Sequence, residues 1–94
     1  MRERDIEQRL VREVRKRGGE VFKWVSPGNA GVPDRIVMLP GGGLIFVELK
    51  RDGEKPSPVQ KAQIRRMQKL GQDVRVVTGM DELEEFLRDE VYAT

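Results

Sequence analysis

The chain has 94 residues and a net charge of +2, and its charged residues (36%) are almost as numerous as its hydrophobic ones (37%). We therefore expect one domain, residues 1–94, with a small core and a densely charged surface. The absence of Cys and His excludes disulfides, thiolate or imidazole metal sites and a Ser-His-Asp triad. No apolar run approaches the roughly 20 residues of a membrane span, which favours a cytoplasmic protein without a membrane partner.

Apolar periodicity predicts a helix and then three strands in the first half of the chain. The helix is predicted over residues 3–17, with apolar positions Ile6, Leu10, Val11 and Val14. Residues 20–25 form a predicted strand, and a loop rich in Gly and Pro follows at 26–33. The runs at 35–39 and 44–50 flank a Pro-Gly-Gly-Gly turn, which predicts a β-hairpin.

The second half of the chain alternates helix and strand. Ser57-Pro58-Val59-Gln60 resembles a capping box with Pro at the first helical position, and it begins a helix that runs to residue 70. A strand over 73–78 and a helix over 81–91 complete the order αβββαβα. This order predicts an α/β fold in which helices flank a mixed four-stranded sheet.

Basic and acidic side chains are unevenly distributed along the chain. Residues 1–19 carry seven basic and four acidic side chains, residues 50–75 carry eight and three, and residues 79–94 carry one and six. The first two segments could therefore face a polyanion, whereas the last must face away from one. A solvated surface explains such charge runs equally well, so charge alone leaves nucleic acid binding open.

Charged side chains interrupt the predicted hairpin, in strands that are otherwise apolar. Glu48 and Lys50 are two residues apart and project from the same face of their strand. If Leu39 pairs with Gly43, the antiparallel register places Asp34 opposite Glu48, with Cβ atoms about 4.5–5.5 Å apart. Two facing carboxylates repel each other unless a cation lies between them, and either Lys50 or a divalent metal ion would serve. Taken separately, an ordinary strand start and a single salt bridge also account for these charges.

Two further polar residues fall on apolar helix faces. At about 100° per residue, Glu7 lies between Val11 and Val14, in the middle of the apolar arc of the first helix. A carboxylate there is costly unless it is paired or bound to metal. Gln60 lies on the apolar side of the second helix, where its position in the capping box explains it as well as a functional role does. Oxygen ligands brought together in this way suit Mg²⁺ or Mn²⁺ in a phosphodiesterase site.

These residues resemble a known nuclease motif. Pro33-Asp34 followed by Glu48-Leu49-Lys50, with Glu7 before and Gln60 after, is similar to the PD-(D/E)XK nuclease superfamily. The pattern GVPD…IFVELK…SPVQ resembles its VRR-NUC branch, here as a stand-alone nuclease domain. The resemblance extends over essentially the whole chain and implies a restriction-endonuclease-like core with a Mg²⁺- or Mn²⁺-dependent site.

The resemblance also implies a role for each motif residue. The expected catalytic residues are Glu7, Asp34, Glu48, Lys50 and Gln60, and the expected metal ligands are Glu7, Asp34, Glu48 and the Leu49 carbonyl. Neighbouring carboxylates favour the charged form of Lys50. We therefore expect Lys50 to orient the attacking water and to stabilise the transition state. Gln60 would hold that water or Lys50 by hydrogen bonds.

Substrate binding is predicted on the second helix. The basic residues Lys61, Arg65 and Lys69 are spaced four residues apart on its outer face, away from Val59, Met67 and Leu70. Such a row can follow a phosphate backbone, although a solvated helix face explains it equally well. Trp24 is expected in the core rather than as a wedge that stacks on bases.

The resemblance implies an endonuclease that acts on branched DNA, such as four-way (Holliday) junctions, as a homodimer encoded by a bacterium or a phage. The expected dimer surface is the first strand with Phe22 and Trp24, or the ends of the first helix. Two alternatives stay open. One is a nicking or flap endonuclease of broad structural preference, and the other is a non-catalytic DNA-binding module. A comparison of cleavage in Mg²⁺ and in EDTA separates the second alternative from a nuclease.

Overall fold

The computed structural model describes residues 2–93 and has the predicted order of elements. The helices are α1 (Glu3–Lys16), α2 (Pro58–Lys69) and α3 (Gly79–Phe86), which continues as a π-helical segment (Leu87–Val91). The strands are β1 (Glu20–Lys23), β2 (Arg35–Leu39), β3 (Gly43–Lys50) and β4 (Val74–Thr78), in the sheet order β1-β2-β3-β4. Neighbouring strands are antiparallel except β3 and β4, which are parallel. The mixed four-stranded sheet and the αβββαβα order are confirmed.

The register of the β2–β3 hairpin is the one on which the site prediction depends. Leu39 pairs with Gly43 and Arg35 with Val47, and one further step in the same register places Asp34 opposite Glu48. The glycines at residues 41–42 have φ values of 85° and 91°, which residues with a Cβ rarely adopt. The Gly-rich turn therefore fixes which side chains of the two strands face each other.

Strand β1 ends at Lys23, two residues before the predicted end at residue 25. Trp24 still donates its N–H to the carbonyl of Asp34 (2.9 Å). Val25 follows as the last residue before the loop at 26–33. Pairing stops there, and Val25 is exposed.

The core lies between one face of the sheet and the layer formed by α1, α3 and the π-helical segment. Its fully buried aliphatic side chains are Ile6, Leu10, Val14, Val37, Val47, Leu49, Leu83, Leu87 and Val91. The predicted apolar face of the last helix is buried, but its final turn is π-helical, with the Tyr92 N–H bonded to the Leu87 carbonyl (2.7 Å). None of the helices between residues 2 and 93 is both long and apolar enough to cross a membrane.

Helix α2 packs on the opposite face of the sheet and buries much less surface. Ile64 is its one buried residue, and Gln68 donates its side-chain amide to the carbonyl of Val74 (3.1 Å). Val59 and Leu70, predicted to lie on the inner side of this helix, are exposed. The prediction was wrong for these two residues because α2 contacts the sheet near β4 and leaves a cleft towards the loop at 26–33.

The buried arc of α1 is displaced from the predicted arc. Val11 is only partly buried, whereas Glu13 is 5% exposed. The Tyr92 hydroxyl donates to Glu13 (2.8 Å), and this bond, followed by that of Lys16, lowers the pKa of the Glu13 carboxyl. The other cations within 4 Å of this carboxylate are Arg9, Arg12 and Arg17. Glu7 therefore lies at the border of the buried arc rather than in its middle.

Candidate active site

Asp34 and Glu48 meet where β2 begins and β3 approaches its end. The Asp34 N–H donates to Glu48 Oε1 (3.2 Å), and the Leu49 N–H donates to Asp34 Oδ1 (3.2 Å). Each carboxylate is therefore held by a backbone amide of the opposite segment. Pro33 is fully buried immediately before Asp34, and its ring fixes its own φ, so the backbone that leads into Asp34 is constrained.

The backbone of Leu49 places a third oxygen near the pair. The N–H and C=O groups of one strand residue point to the same side of the strand. Because the Leu49 N–H faces Asp34, its carbonyl faces the same edge of the sheet. Two carboxylates and this carbonyl form a set of oxygen donors of the kind that Mg²⁺ and Mn²⁺ accept.

Lys50 and Gln60 both contact the buried carboxylate of Glu48, which is 3% exposed. Lys50 Nζ lies 3.3 Å from Glu48 Oε2, and Gln60 Nε2 donates to the same oxygen at 3.0 Å. Gln60 also completes the capping box, because its Oε1 accepts from the Ser57 N–H (2.8 Å) while Ser57 Oγ accepts from the Gln60 N–H (3.2 Å). The capping role and the contact with the site are therefore compatible, since they use opposite ends of one amide.

Burial raises the pKa of both central carboxyls. For Asp34, desolvation outweighs the opposing charge of Arg35 and the hydrogen bond from the Leu49 N–H. For Glu48, the negative charge of Asp34 adds to desolvation, and Lys50 opposes both. The local cations are thus insufficient to compensate the ionised pair, and a bound divalent cation would supply the missing positive charge. In donor chemistry and in charge, the pair fits such an ion.

Glu7 contacts a different partner, Arg35. Glu7 Oε2 is 3.1 Å from Arg35 Nη2, and Arg35 Nη1 is 3.3 Å from Asp34 Oδ2. Over residues 2–93, no group of three or more Asp, Glu, His or Cys side chains is close enough together to hold a metal ion. The structure therefore brings together four of the five predicted catalytic side chains and links Glu7 to them through a guanidinium.

Arg35 is the site residue that the sequence analysis missed. It shares its strand face with Val37, which is fully buried, and its own side chain is 13% exposed. The available signal was a charged residue in an otherwise apolar strand, and a signal of the same kind identified Glu48.

The predicted basic row lies on the exposed surface of α2, since Lys61, Arg65 and Lys69 are all exposed. Beside the helix, a cleft of about 440 Å³ lies between α2 and residues 28–30 of the neighbouring loop. Its lining residues are Gly28, Asn29, Ala30, Pro58, Val59, Ala62, Gln63 and Arg66. Trp24 was expected in the core, but its ring is only partly buried and packs against Phe46, with centroids 5.1 Å apart, outside the main core cluster.

The sequence and the fold of this chain are matched in known proteins. Residues 2–81 match the VRR-NUC domain. The chain belongs to the VRR-NUC family. The matched segment contains every residue of the candidate site and the basic row on α2. It ends near the start of α3.

A phage protein and two solved structures are similar to this VRR-NUC domain. "Putative nuclease p44" of Acyrthosiphon pisum secondary endosymbiont phage 1 is 53% identical over 81 residues, which cover 86% of this chain and 87% of that protein. A solved VRR-NUC domain superposes with a TM-score of 0.86 at 30% identity, covering 94% of this chain and 96% of the other. Hjc of Archaeoglobus fulgidus, a Holliday junction resolvase, shares the fold with a TM-score of 0.57 at 20% identity, over 80% of this chain and 66% of Hjc.

Proposed function

We propose that this VRR-NUC nuclease domain is a metal-dependent endonuclease that hydrolyses phosphodiester bonds in branched DNA. The observation that carries the proposal is the paired arrangement of Asp34 and Glu48, each held by a backbone amide of the opposite segment. Together with the Leu49 carbonyl, they are the proposed ligands of Mg²⁺ or Mn²⁺. An ion held there would activate water and offset negative charge at phosphorus.

Lys50 supplies the fixed positive charge of the proposed mechanism. Its ammonium lies 3.3 Å from Glu48 Oε2 and its side chain is 17% exposed, so it can reach both the carboxylate pair and a phosphate that approaches from solvent. In this position it donates hydrogen bonds to the attacking water and to a phosphate oxygen, where charge develops in the transition state. Gln60 holds Glu48 in place from the opposite helix, which keeps the carboxylate oxygen directed at the site.

DNA binding is assigned to the exposed row on α2. Lys61, Arg65 and Lys69 lie on the helix that also carries Gln60, so a phosphate backbone along this row passes close to the carboxylate pair. The contacts are electrostatic and independent of sequence. Since the substrate is DNA and a relative is encoded by a phage, we assign the activity to the interior of the host cell.

A four-way junction is the proposed substrate, and a homodimer the proposed active form. The fold is shared with Hjc, a Holliday junction resolvase, and resolution of a junction requires two cuts on symmetry-related strands. One chain carries one such site, and two-fold dimers are the commonest oligomers. The second candidate function, a nicking or flap endonuclease of broad preference, applies if the chain acts as a monomer.

An exposed apolar sheet face is the proposed dimer interface. Phe22, Met38 and Leu44 are 47%, 42% and 40% exposed. Cross-strand pairing places Phe22 beside Ile36 and Met38 beside Leu44, so all of them project from the side of the sheet opposite the core. Contiguous apolar surface of this kind marks interaction sites in soluble proteins. This face includes the first-strand residue Phe22 named from the sequence.

A panel of labelled four-way, flapped, nicked and linear DNAs tests the proposal, with each substrate incubated in Mg²⁺ and in EDTA. Paired cuts in the four-way junction that require Mg²⁺ are expected, together with a dimeric mass by light scattering. Phe22→Glu should give monomers that cut flaps or leave single nicks. Val25→Glu, an exposed apolar position outside the sheet face, should leave the dimer intact. A monomeric wild-type protein that cuts flaps but not junctions would establish the second candidate instead.

Lys50→Met tests the catalytic assignment separately, because it leaves the carboxylates in place. We expect cleavage to fall by at least about 100-fold, the range that removal of one transition-state donor produces, with DNA binding retained. Lys23→Met removes an exposed Lys from the neighbouring edge strand and should leave the rate unchanged. Equal rates for the two variants would exclude Lys50 from the chemistry.

A further inference from the structure

Arg35 connects two carboxylates that lie on different elements. Its Nη2 contacts Glu7 on α1 (3.1 Å), and its Nη1 contacts both the Asp34 carboxylate (3.3 Å) and the Asp34 carbonyl oxygen (3.1 Å). The planar guanidinium can make these contacts simultaneously because its N–H groups form a rigid fork. The space between Glu7 and Asp34 is therefore filled by a positive group that belongs to the chain.

The surroundings of Arg35 hold it in this position. The side chains of Arg35 and Glu7 are 13% and 23% exposed, so both charges of this pair lie largely away from water. The backbone also fixes the residue, since Arg35 pairs with Lys23 on one side and Val47 on the other. Withdrawal of the guanidinium would leave two carboxylates without their nearest cation, which is strongly unfavourable in a partly buried site.

The net charge of the site indicates how many divalent cations it can hold. The carboxylates of Glu7, Asp34 and Glu48 face two cationic groups, Arg35 and Lys50, so the cluster carries one net negative charge. That charge suits a single divalent cation at Asp34 and Glu48. Without Arg35 the cluster would carry two negative charges, and the position between Glu7 and Asp34 would be open to a second cation.

We propose that Arg35 is a positioning residue that replaces a second metal ion: it keeps Glu7 out of the set of metal ligands and limits the site to one divalent cation. The inference rests on the proposed function in one respect, that Asp34 and Glu48 hold such an ion. It departs from the expectation drawn from the family resemblance, in which Glu7 is itself a ligand. In this arrangement Glu7 acts through Arg35, by fixing the guanidinium against Asp34.

Calorimetric titration with Mn²⁺ in the absence of DNA tests the inference without any measurement of activity. The wild-type protein should bind one Mn²⁺ per chain, and Glu7→Gln should also bind one. Arg35→Met should bind two, because the ion that enters between Glu7 and Asp34 replaces the lost charge. The double variant with both substitutions should return to one, since the second position then lacks a carboxylate.

Two controls keep the result interpretable. Arg75→Met removes a strand-borne Arg that pairs with Asp73 and Glu90 away from the site, and it should bind one Mn²⁺. Arg35→Lys retains the positive charge and should also bind one. If Arg35→Met fails to fold, Arg35→Gln takes its place, because it also removes the positive charge but keeps a polar side chain beside Glu7, and it should bind two Mn²⁺.

Three results would overturn the inference. Two Mn²⁺ ions in the wild type, with one lost in Glu7→Gln, would make Glu7 a ligand beside Arg35. One ion in Arg35→Met, with wild-type affinity, would make Arg35 a structural residue only. Absence of any Mn²⁺ binding by the wild type would overturn the proposed metal-dependent function together with this inference, whereas the first two results leave that function intact.

Discussion

Gly31 provides a sharp test of how the loop at 26–33 is held against α2. Its φ is 86°, a left-handed value that costs a residue with a Cβ about 1–2 kcal/mol. A Cβ at this position would also lie 2.8 Å from the carbonyl oxygen of Val59 and 2.9 Å from its carbonyl carbon. Both are backbone atoms in the first turn of α2, so Gly31→Ala must push the loop and the helix apart.

Gly28 is a matched control within the same loop. Its φ is 80°, and a Cβ there would meet no atom within 4 Å. Gly28→Ala should therefore cost only the backbone strain of about 1–2 kcal/mol, whereas Gly31→Ala adds overpacking, typically about 1–3 kcal/mol. Since 1 kcal/mol lowers the Tm of a domain of this size by roughly 4–8 °C, the two variants should be clearly separated in a thermal melt.

The assay combines thermal melts with cleavage measured below both melting temperatures. Val59 directly precedes Gln60, which holds Glu48 through a 3.0 Å hydrogen bond. We therefore expect Gly31→Ala to lose cleavage activity as well as stability, and Gly28→Ala to lose stability alone. Equal Tm losses and equal cleavage rates in the two variants would refute the contact between loop and helix and its influence on the site.

Three further predictions follow from charge. Asp34→Asn should raise the Tm of the metal-free protein and abolish the Tm increase that Mn²⁺ gives the wild type; an unchanged increase would place the ion elsewhere. The pKa of the Asp34 carboxyl is raised in the folded protein. The neutral carboxyl therefore stabilises the fold at pH values below its ordinary pKa of about 4, and this stabilisation is lost as the pH rises through the folded-state pKa. The Tm difference between metal-free Asp34→Asn and the metal-free wild type should therefore shrink from pH 7 towards pH 4. A Tm difference that does not change with pH would contradict this. Replacement of Lys61, Arg65 and Lys69 by Gln should reduce the slope of log binding constant against log salt concentration by roughly 0.9 per residue. Arg88→Gln, in the acidic segment, should leave this slope unchanged. Equal slopes in the two variants would exclude the row from the DNA interface.

The opposition of Asp34 and Glu48 could be predicted because it depends on local rules. Side chains alternate along a strand, and a short Gly-rich turn fixes the hairpin register. The pairing of Leu39 with Gly43 therefore determines which residues of β2 and β3 face each other along the hairpin. The position of Gln60 could also be predicted from neighbouring residues, since a capping box fixes the first turn of a helix.

The missed features depend on how distant elements pack against each other. The contact of Glu7 with Arg35 spans 28 residues, and that of Glu13 with Tyr92 spans 79. Periodicity gave the apolar side of α1 but not its rotation against the sheet, so Glu13 was overlooked and Glu7 was placed in the middle of the arc. The exposure of Val59 has the same origin, because sequence spacing does not set how closely α2 approaches the sheet.

The most direct test of the account is single-turnover cleavage of a labelled four-way junction by the wild type, Asp34→Asn and Glu48→Gln. The wild type should cut in Mg²⁺ and be inactive in EDTA. Each variant should bind the junction at least as well, because repulsion of phosphate is reduced, yet cut at least about 100-fold more slowly, a loss of roughly 3 kcal/mol in barrier stabilisation. Wild-type cleavage in EDTA, or more than about a hundredth of the wild-type rate in either variant, would contradict the assignment of this carboxylate pair as the metal-binding centre of a nuclease.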